Sequence, residues 1–323
     1  MIDSERAMAA DSIVSRRHAV IGGLCFCCSA ALARRTDTSA GPFATHEVAA
    51  GIHIRRGVDQ DTTPINGGAI ANVGFVIGRD AVAVIDPGGS MLDGERLRAT
   101  VREATRLPVR YVVMSHVHPD HVFGAAAFQA DRPQFVGHMR LSRALAVRGE
   151  YYRKRLEQIL GKDAAGPVVM PTVSVNDHMQ IDLGGRVLAL TAHGLAHTDC
   201  DLSVLDRMTG TLLAADLLFV QRTPSLDGSL KGWLKELGAL QDMRARRAVP
   251  GHGPSSVDWP SGARDLQRYL HTLLRETRQA VAGGMDIDTA VRTIAQSERG
   301  KWQLFDDYNG HNITQAFKEL EWE

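Results

Sequence analysis

The sequence SHVHPDH, residues 115 to 121, places three histidines and an aspartate within six positions. These are His116, His118, Asp120 and His121, and they directly follow the apolar run YVVMS. Crowded imidazoles and carboxylates repel one another or must be desolvated side by side, so a bound partner has to hold them together. Neutral imidazole nitrogens and a carboxylate oxygen form a ligand set that suits zinc. The spacing therefore predicts a divalent metal site.

Four such residues exceed what one tetrahedral catalytic zinc accepts while it keeps a position for water. The stretch thus indicates two metals, and further candidate ligands stand where later predicted strands give way to turns. They are His197 in GLAHTDCDL, Asp216 in LLAADLLF and His252 in VPGHGP. An aspartate inside an apolar run is costly to bury without a partner. Bridging two cations would satisfy both carboxylate oxygens of Asp216.

The elements that would position these residues can be predicted from the pattern of apolar runs and turns. From His46 onward, short runs rich in β-branched residues are bounded by glycines, which favours strands joined as hairpins. Longer segments with apolar residues at helical spacing separate them, and the strand VRYVVMS leads directly into the histidine cluster. This order predicts an α/β protein with two sheets packed face to face and helices on the outside.

The N-terminal segment has the pattern of an export signal. Arg16 and Arg17 precede a run without charge from Ala19 to Ala33, which is shorter than the roughly 20 residues of a membrane-spanning helix. A cleaved signal peptide fits this pattern, with Ala31-Leu32-Ala33 as the cleavage signal. The paired arginines resemble a twin-arginine signal, although Ala19 stands where that signal usually carries an aromatic residue. An uncleaved membrane anchor is the alternative reading.

These patterns predict four segments and an exported, periplasmic location. They are a signal peptide over residues 1–33, a linker over 34–45, a catalytic domain over 46–285 and a C-terminal helical extension of the same domain over 286–323. Cys25, Cys27 and Cys28 would leave with the signal, so the mature chain would hold only Cys200 and no intrachain disulfide. After cleavage, no stable membrane insertion is expected.

The balance of charge argues against polyanionic partners. Lysine plus arginine and aspartate plus glutamate number 37 each, so the chain lacks the basic footprint that binding to nucleic acid requires. We therefore expect a small-molecule substrate and no nucleic-acid partner.

Taken together, the motifs resemble those of the metallo-β-lactamase-fold superfamily. Five elements follow the family's order between about Val48 and Pro254: IDPGG, SHVHPDHVFG, AHTDC, AADLLF and PGHGP. The resemblance implies a four-layer αβ/βα sandwich of two mixed sheets with two zinc ions per chain. It also implies that Asp86 supports the metal loop without acting as a ligand. The implied ligands are His116, His118 and His197 on the first metal, Asp120, His121 and His252 on the second, and Asp216 as the bridge.

The same resemblance implies a hydrolase. A hydroxide shared by the two zinc ions would attack the carbonyl of an ester, thioester, lactone or β-lactam, and Asp120 would orient it. One alternative within the superfamily is a persulfide dioxygenase, which holds a single iron through residues that match His116, His197 and Asp216. Another is a non-catalytic accessory protein that keeps a metal for stability.

A finer resemblance concerns the setting of the reaction. The export signal, the DHVFG context and the C-terminal NITQAFKELE resemble the quinoprotein relay system zinc metallohydrolases, a group related to a sulfur-oxidation-associated hydrolase. That group is associated with periplasmic quinoprotein dehydrogenases and cytochromes c. The resemblance implies a setting rather than a substrate, because one fold hosts many reactions.

Two features depart from the family's pattern. Cys200 stands where many relatives carry glycine, three positions after His197, so it is either a small buried residue or a thiolate near the metals. The turn GLAHT is longer than usual and places His193 four positions before His197. In the loop from Val220 to Ser229, Arg222 is a candidate partner for an anionic substrate group or an ordinary solvated arginine.

Overall fold

Short runs of β-branched and apolar residues form two mixed sheets within residues 43–323, which the computed structural model describes. The predicted signal peptide lies outside the described residues, as does most of the predicted linker. The described residues all belong to one compact unit. Among them, no helix combines the length and hydropathy that spanning a membrane requires.

The first sheet contains seven strands whose spatial order follows the sequence. The first three pairings are antiparallel and the last three are parallel. Parallel strands are covered on both faces, which agrees with the nearly continuous burial of the central strands. The strands are β1 Thr45–Ala49, β2 Ile52–Arg55, β3 Val73–Ile77, β4 Val82–Ile85, β5 Val109–Met114, β6 Gln134–His138 and β7 Val173–Val175.

The second sheet contains the remaining six strands, and each of them lies beside the strand that precedes or follows it in the sequence. Only the eleventh and twelfth strands pair in parallel, and the other pairings are antiparallel. This parallel pair brings the predicted ligands Asp216 and His252 onto neighbouring strands. The strands are β8 His178–Asp182, β9 Val187–Ala192, β10 Leu202–Asp206, β11 Thr211–Phe219, β12 Arg247–His252 and β13 Val257–Asp258.

Helices cover the outer faces of both sheets. Ser90 and Ser229 cap two of them, because each side-chain oxygen accepts a backbone N–H of the first turn. Three short 3₁₀ helices lie at Ala125–Asp131, Ser261–Ala263 and Gln296–Lys301. The α-helices are α1 Met91–Ala104, α2 Pro119–Val122, α3 Leu141–Leu160, α4 Leu230–Gln241, α5 Arg264–Ala282, α6 Ile287–Thr293 and α7 Phe305–Leu320.

The hydrophobic core is divided into three layers. Residues of both sheets, such as Val113 and Val204, pack between the sheets. A second cluster joins the first sheet to α1 and α3. A third cluster joins the second sheet to α4, α5 and α7, with Trp233 and Tyr269 fully buried in it. The layer order helix, sheet, sheet, helix confirms the predicted four-layer sandwich.

Local details differ from the sequence-based expectation in three places. The apolar run AIANVGFVIG has the pattern of a strand, but the strand begins only at Val73, because residues 64–70 form turns and Asn72 is bonded to the backbone of Gly251 and Pro250. Strand β7 had no predicted counterpart. The end of the histidine motif, expected as a loop, forms the single-turn helix α2, which begins at Pro119. Proline suits the first helical position because its missing N–H would have no partner there.

Candidate metal centre

The structure brings the seven predicted ligands together from both sheets. β5 ends at Met114 and leads into the HVHPDH segment, β12 ends at His252, and His197 lies in the turn between β9 and β10. Asp216 was expected at a strand end but lies inside β11, next to a register irregularity at Ala215. Ala215 has a positive φ of 46°. Such irregularities re-aim a side chain, and here the carboxylate of Asp216 reaches the histidines.

The ligand atoms form two groups, and within each group they lie within 4.8 Å of one another. Asp216 contacts both groups. Its Oδ2 lies 3.3 Å from His197 Nε2, and its Oδ1 lies 3.0 Å from His121 Nε2. This position fits a bridging carboxylate, and the assignment of the seven residues as ligands remains a prediction. The groups are His116, His118, His197 and Asp216, and Asp120, His121 and His252.

All five histidines have an acceptor at the ring nitrogen that faces away from the centre. Each outer nitrogen therefore has a partner that can accept its N–H, which leaves the inner nitrogen to face a metal. At His252 the Ile70 carbonyl shares Nδ1 with a donor, Arg222 Nη1, at 3.2 Å. The pairs are His116 Nδ1 with Ser115 Oγ at 3.0 Å, His118 Nε2 with Asp227 Oδ2 at 3.2 Å, His121 Nδ1 with Asp86 Oδ2 at 2.8 Å, His197 Nδ1 with Ser225 O at 2.6 Å and His252 Nδ1 with Ile70 O at 3.0 Å.

Three inner atoms are buried without a hydrogen bond of suitable angle among the described residues, namely His116 Nε2, His121 Nε2 and Asp216 Oδ1, although the last two lie 3.0 Å apart. Buried polar atoms without partners are rare and costly, about 1–3 kcal/mol each. The inner nitrogens of His197 and His118 also face each other at 3.0 Å. A pair of cations would satisfy all of these atoms at once, so the residues present fit a two-metal centre.

The electrostatics differ between the rings. Burial lowers the pKa of His197 to about 3 and the pKa of His116 well below its ordinary value, so both imidazoles are neutral. Burial alone would lower the pKa of His121 and His252, but the Asp216 and Asp120 carboxylates outweigh it and raise the pKa of both rings, so without metal these rings hold protons that a metal would displace. Burial alone would raise the pKa of Asp120, but His121 and His252 outweigh it and hold that pKa low. Asp120 is therefore an ionised carboxylate. Divalent metals bind deprotonated ligands of this kind.

Asp86 supports the histidine motif from the end of β4. Its Oδ1 accepts the Ser115 N–H at 2.7 Å, and its Oδ2 accepts the Ser115 hydroxyl at 2.9 Å as well as His121 Nδ1–H. Asp86 has a positive φ of 54°, which is unusual for a residue other than glycine. Three hydrogen bonds hold it in this conformation. The position agrees with the supporting role that the resemblance implied.

Gly251, in the PGHGP motif, allows β12 to approach Asp216 closely. A Cβ atom at this position would lie 1.8 Å from Asp216 Oδ1 and 2.8 Å from the backbone carbon of Ala215. Any larger residue would displace the carboxylate or the strand. The glycine before His252 is therefore required by packing.

A cleft of about 600 Å³ opens onto the two groups. Helix α3 forms one wall and helix α7 another, while the loop 222–227 lies between them. The segment 161–171, whose sequence GKDAAGPVVMP is typical of a loop at a pocket edge, contributes no residue to this cavity. The lining side chains beyond the ligands include Tyr151, Tyr152, Arg155, Phe219, Arg222, Thr223, Asp227, Asp307, Tyr308 and His311.

Two of the candidates that the sequence left open have other partners. Cys200 is fully buried among residues of the first sheet and belongs to neither ligand group. Burial raises the pKa of its thiol to about 12, so it is not a thiolate at neutral pH. His193 is buried and lies 2.8 Å from Ser203 Oγ and 3.0 Å from Glu236 Oε2. Neither residue is a ligand candidate in this structure.

Arg222 is neither solvated nor free. Only 3% of the residue is exposed. It donates to the Gln60 carbonyl at 3.2 Å and to the Tyr308 hydroxyl at 2.8 Å. The arginine thus ties the loop after β11 to helix α7, and its remaining face lines the cleft.

Sequence reasoning missed Asp227, Ser225 and Ile70, which hold the outer nitrogens of three histidines. Two of these partners are backbone carbonyls, which leave no signature in a sequence. Asp227 is a carboxylate in a loop already expected to border the cleft. Its charge was the one signal that could have identified it.

Comparisons with known proteins agree with this geometry. A family model described as the Metallo-beta-lactamase superfamily matches residues 66–252, a range that contains all seven candidate ligands. A comparison with curated proteins found no match. The identity of the metal is open to experiment.

Solved structures share the fold at low sequence identity. A metallo-beta-lactamase from Pontibacter korlensis is 20% identical, with a TM-score of 0.57, and the match covers 70% of this chain and 98% of that one. A metallo-beta-lactamase from Hirschia baltica is 16% identical, with a TM-score of 0.55 and coverage of 69% and 95%. A stereoselective inverting sec-alkylsulfatase from a Pseudomonas species is 16% identical, with a TM-score of 0.62 and coverage of 85% and 50%.

Proposed function

This chain belongs to the metallo-beta-lactamase superfamily, and from that premise we propose that it is an exported, zinc-dependent hydrolase. Its substrate would be a small molecule with an ester, thioester, lactone or lactam carbonyl. One observation carries the proposal. The inner ring nitrogens of five histidines and the carboxylates of Asp120 and Asp216 lie in two adjoining groups at the base of a cleft.

The centre divides the chemistry between its residues and its metals. Zinc ions, when bound, would supply Lewis acidity and lower the pKa of water. His116, His118 and His197 would hold one ion, Asp120, His121 and His252 the other, and Asp216 would touch both. Because its pKa is held low, the Asp120 carboxylate stays ionised and can orient a water molecule by accepting a hydrogen bond from it.

The cleft supports substrate binding by its mixture of side chains. Tyr151, Tyr152 and Phe219 offer aromatic surface, and the cationic Arg155 stands at the same cavity. Most of the other lining residues are polar or charged, so the cleft joins a small aromatic surface to a mainly polar wall. We therefore expect a polar organic substrate with an aromatic or apolar part that contacts these rings.

A sulfate ester is a second substrate class that merits testing. The secondary-alkylsulfatase covers 85% of this chain, whereas the lactamases cover 69–70%. The chain spans half of the sulfatase's length. The likeness is one of fold, so the sulfate ester enters only as a member of the substrate panel.

The setting is a further part of the proposal. The sequence signal at residues 16–33 and the finer resemblance support export by the twin-arginine route. The finer resemblance also supports a role for this protein in the periplasm together with a quinoprotein dehydrogenase or a cytochrome c. Fusion of residues 1–45 to a reporter that folds only after twin-arginine export would test the route. Retention of the reporter in the cytoplasm would contradict it.

The proposed hydrolase is tested by a metal count combined with a substrate screen. Protein purified without added metal should contain two zinc ions per chain and should cleave at least one thioester, lactone, β-lactam, carboxylic ester or sulfate ester. One iron per chain with consumption of oxygen would favour the persulfide dioxygenase alternative instead. Asp120→Ala should abolish the hydrolysis while the protein stays folded. Full activity of that variant would contradict the role of Asp120.

A further inference from the structure

Asp227 occupies an unusual position between the centre and the wall of the cleft. Its Oδ2 lies 3.2 Å from Nε2 of His118, whose other nitrogen faces the first ligand group. The same oxygen accepts a hydrogen bond from Arg148 Nη1, on helix α3. Its backbone N–H is bonded to the His197 carbonyl at 3.0 Å. One residue therefore contacts two candidate ligands and one helix of the cleft.

The contact with His118 determines which nitrogen of this imidazole is free. An ionised carboxylate only accepts hydrogen bonds, so it fixes the proton on Nε2 and leaves the lone pair on Nδ1. The guanidinium of Arg148, which has donors and no acceptor, bonds to the same oxygen of Asp227. Without this acceptor the ring can rotate or exchange its tautomer.

The ion pair with Arg148 fixes the carboxylate itself. Arg148 lies one helical turn before Tyr151 and Tyr152 in α3, and these tyrosines line the cleft. The side chain of Asp227 is 23% exposed and that of Arg148 is 41% exposed, so neither is locked by close packing alone. Their mutual contact is what sets the direction of the Asp227 carboxylate.

We propose that Asp227 is a positioning residue, which directs Nδ1 of His118 toward the first metal and is itself held by Arg148. The contact thereby links the substrate wall on α3 to the metal centre. This inference rests on the proposed metal-dependent function. It adds a residue that lies outside the histidine and aspartate motifs of the sequence.

The test measures zinc affinity of the full chain by competition with a chromophoric chelator. Partners that orient a metal-bound histidine typically change affinity about 10–100-fold, so Asp227→Ala should weaken binding at one of two sites by about this factor. Asp227→Asn should lose less, because an amide oxygen can still accept the His118 N–H. The absorption spectrum of the cobalt-substituted protein should change in Asp227→Ala and return toward that of the wild type in Asp227→Asn.

Asp307→Asn is the matched control, since Asp307 lines the same cleft but belongs to neither ligand group. It removes the same charge and should leave zinc affinity within about twofold. Arg148→Met should weaken zinc binding when Asp227 is present. It should add nothing in the Asp227→Ala background, because the two residues act in series.

The outcomes separate this inference from the proposed function. Wild-type protein that binds no divalent metal would overturn the hydrolase proposal. Wild-type protein that binds two zinc ions, with unchanged affinity in Asp227→Ala, would overturn only the role of Asp227. A loss of zinc affinity in Asp307→Asn as large as the loss in Asp227→Ala would mean that the effect comes from charge alone and would also overturn this role.

Discussion

Helix α7 should be necessary for metal binding, although it contains none of the candidate ligands. Asn312, on this helix, is fully buried and holds the loop that carries Ser225 and Asp227. Its Nδ2 donates to the Pro224 carbonyl at 2.7 Å, and its Oδ1 accepts the Leu226 N–H at 2.8 Å. The loop in turn holds the outer nitrogens of His118 and His197.

The magnitude of an Asn312→Ala substitution follows from these contacts. The change leaves one buried backbone N–H and one buried carbonyl without their partner. It also removes the hydrogen bond that Asn312 Nδ2 donates to the Tyr269 hydroxyl at 2.9 Å, but this hydroxyl keeps its bond to Asn309. Each such group costs about 1–3 kcal/mol, and partial relaxation of the loop offsets some of it. We expect the free energy of unfolding of the metal-free protein to fall by about 3 kcal/mol. Zinc affinity should fall about tenfold. This is the low end of the 10–100-fold range for partners of metal-bound histidines, because Asn312 acts on those partners and not on the histidines themselves.

Asn309→Ala is a matched control on the same helix. Asn309 is also buried, but it bonds to the Tyr269 hydroxyl at 2.9 Å and to the Ile294 carbonyl at 3.2 Å rather than to the loop. Its removal also leaves two buried groups without partners, so it should reduce stability by a similar amount. It should leave zinc affinity unchanged.

The assay combines urea unfolding in the presence of a chelator with zinc competition under native conditions. The first measurement gives the loss of stability, and the second gives the effect on the folded state alone. If Asn312→Ala and Asn309→Ala change zinc affinity equally, or if neither changes it, α7 does not act on metal binding by holding the loop that carries Ser225 and Asp227. The reasoning from Asn312 would then be refuted.

Three further predictions concern other parts of the chain. Burial alone would raise the pKa of Glu298, but hydrogen bonds from Arg268, Lys301 and Trp302 lower it from 4.5 to about 2. The resulting stabilisation is present above pH 4.5 and is lost as the pH falls toward 2. Glu298→Gln should therefore cost about 3 kcal/mol at pH 7 and progressively less on acidification, as measured by urea unfolding at several pH values. The buried Cys200 thiol, with its pKa raised to about 12, should resist alkylation in native protein and react after denaturation, as read by peptide mass spectrometry; rapid native labelling would contradict its burial. Removal of metal by a chelator should lower the thermal midpoint, since zinc at a thousand times its dissociation constant stabilises by about 4 kcal/mol, and added zinc should restore it.

The parts of the fold that the sequence predicts are those with strong local patterns. Runs such as VRYVVM and VAVI carry β-branched residues without interruption, and they form β5 and β4 as expected. The amphipathic LQRYLHTLLRETRQAVA forms α5. β7 has three residues and no alternation of its own, so its pairing with β6 depends on tertiary contacts. A pattern within the sequence cannot reveal such a strand.

The same division applies to the candidate centre. Ligand residues can be predicted because imidazole and carboxylate side chains inside apolar runs have few other roles. Their partners are harder to predict, because Ser225 and Ile70 contribute backbone carbonyls and Asp227 lies 109 positions after His118. The position of Asp216 was also misjudged. Its strand continues to Phe219, and only the irregularity at Ala215 turns the carboxylate inward.

All candidate ligands lie within the range that the family model matches, but some residues that hold the surrounding loop lie outside it. Residues 66–252 contain every candidate ligand, yet Asn312, Tyr308 and Glu319 hold the loop between β11 and α4 from outside that range. Glu319 accepts the N–H of Leu230 at 2.6 Å and the hydroxyl of Ser229 at 2.7 Å, at the start of α4. The C-terminal helix thus fixes both the loop and the helix that follows it. Because two candidate ligands depend on that loop for their orientation, the metal centre depends on residues beyond the range that the family model matches.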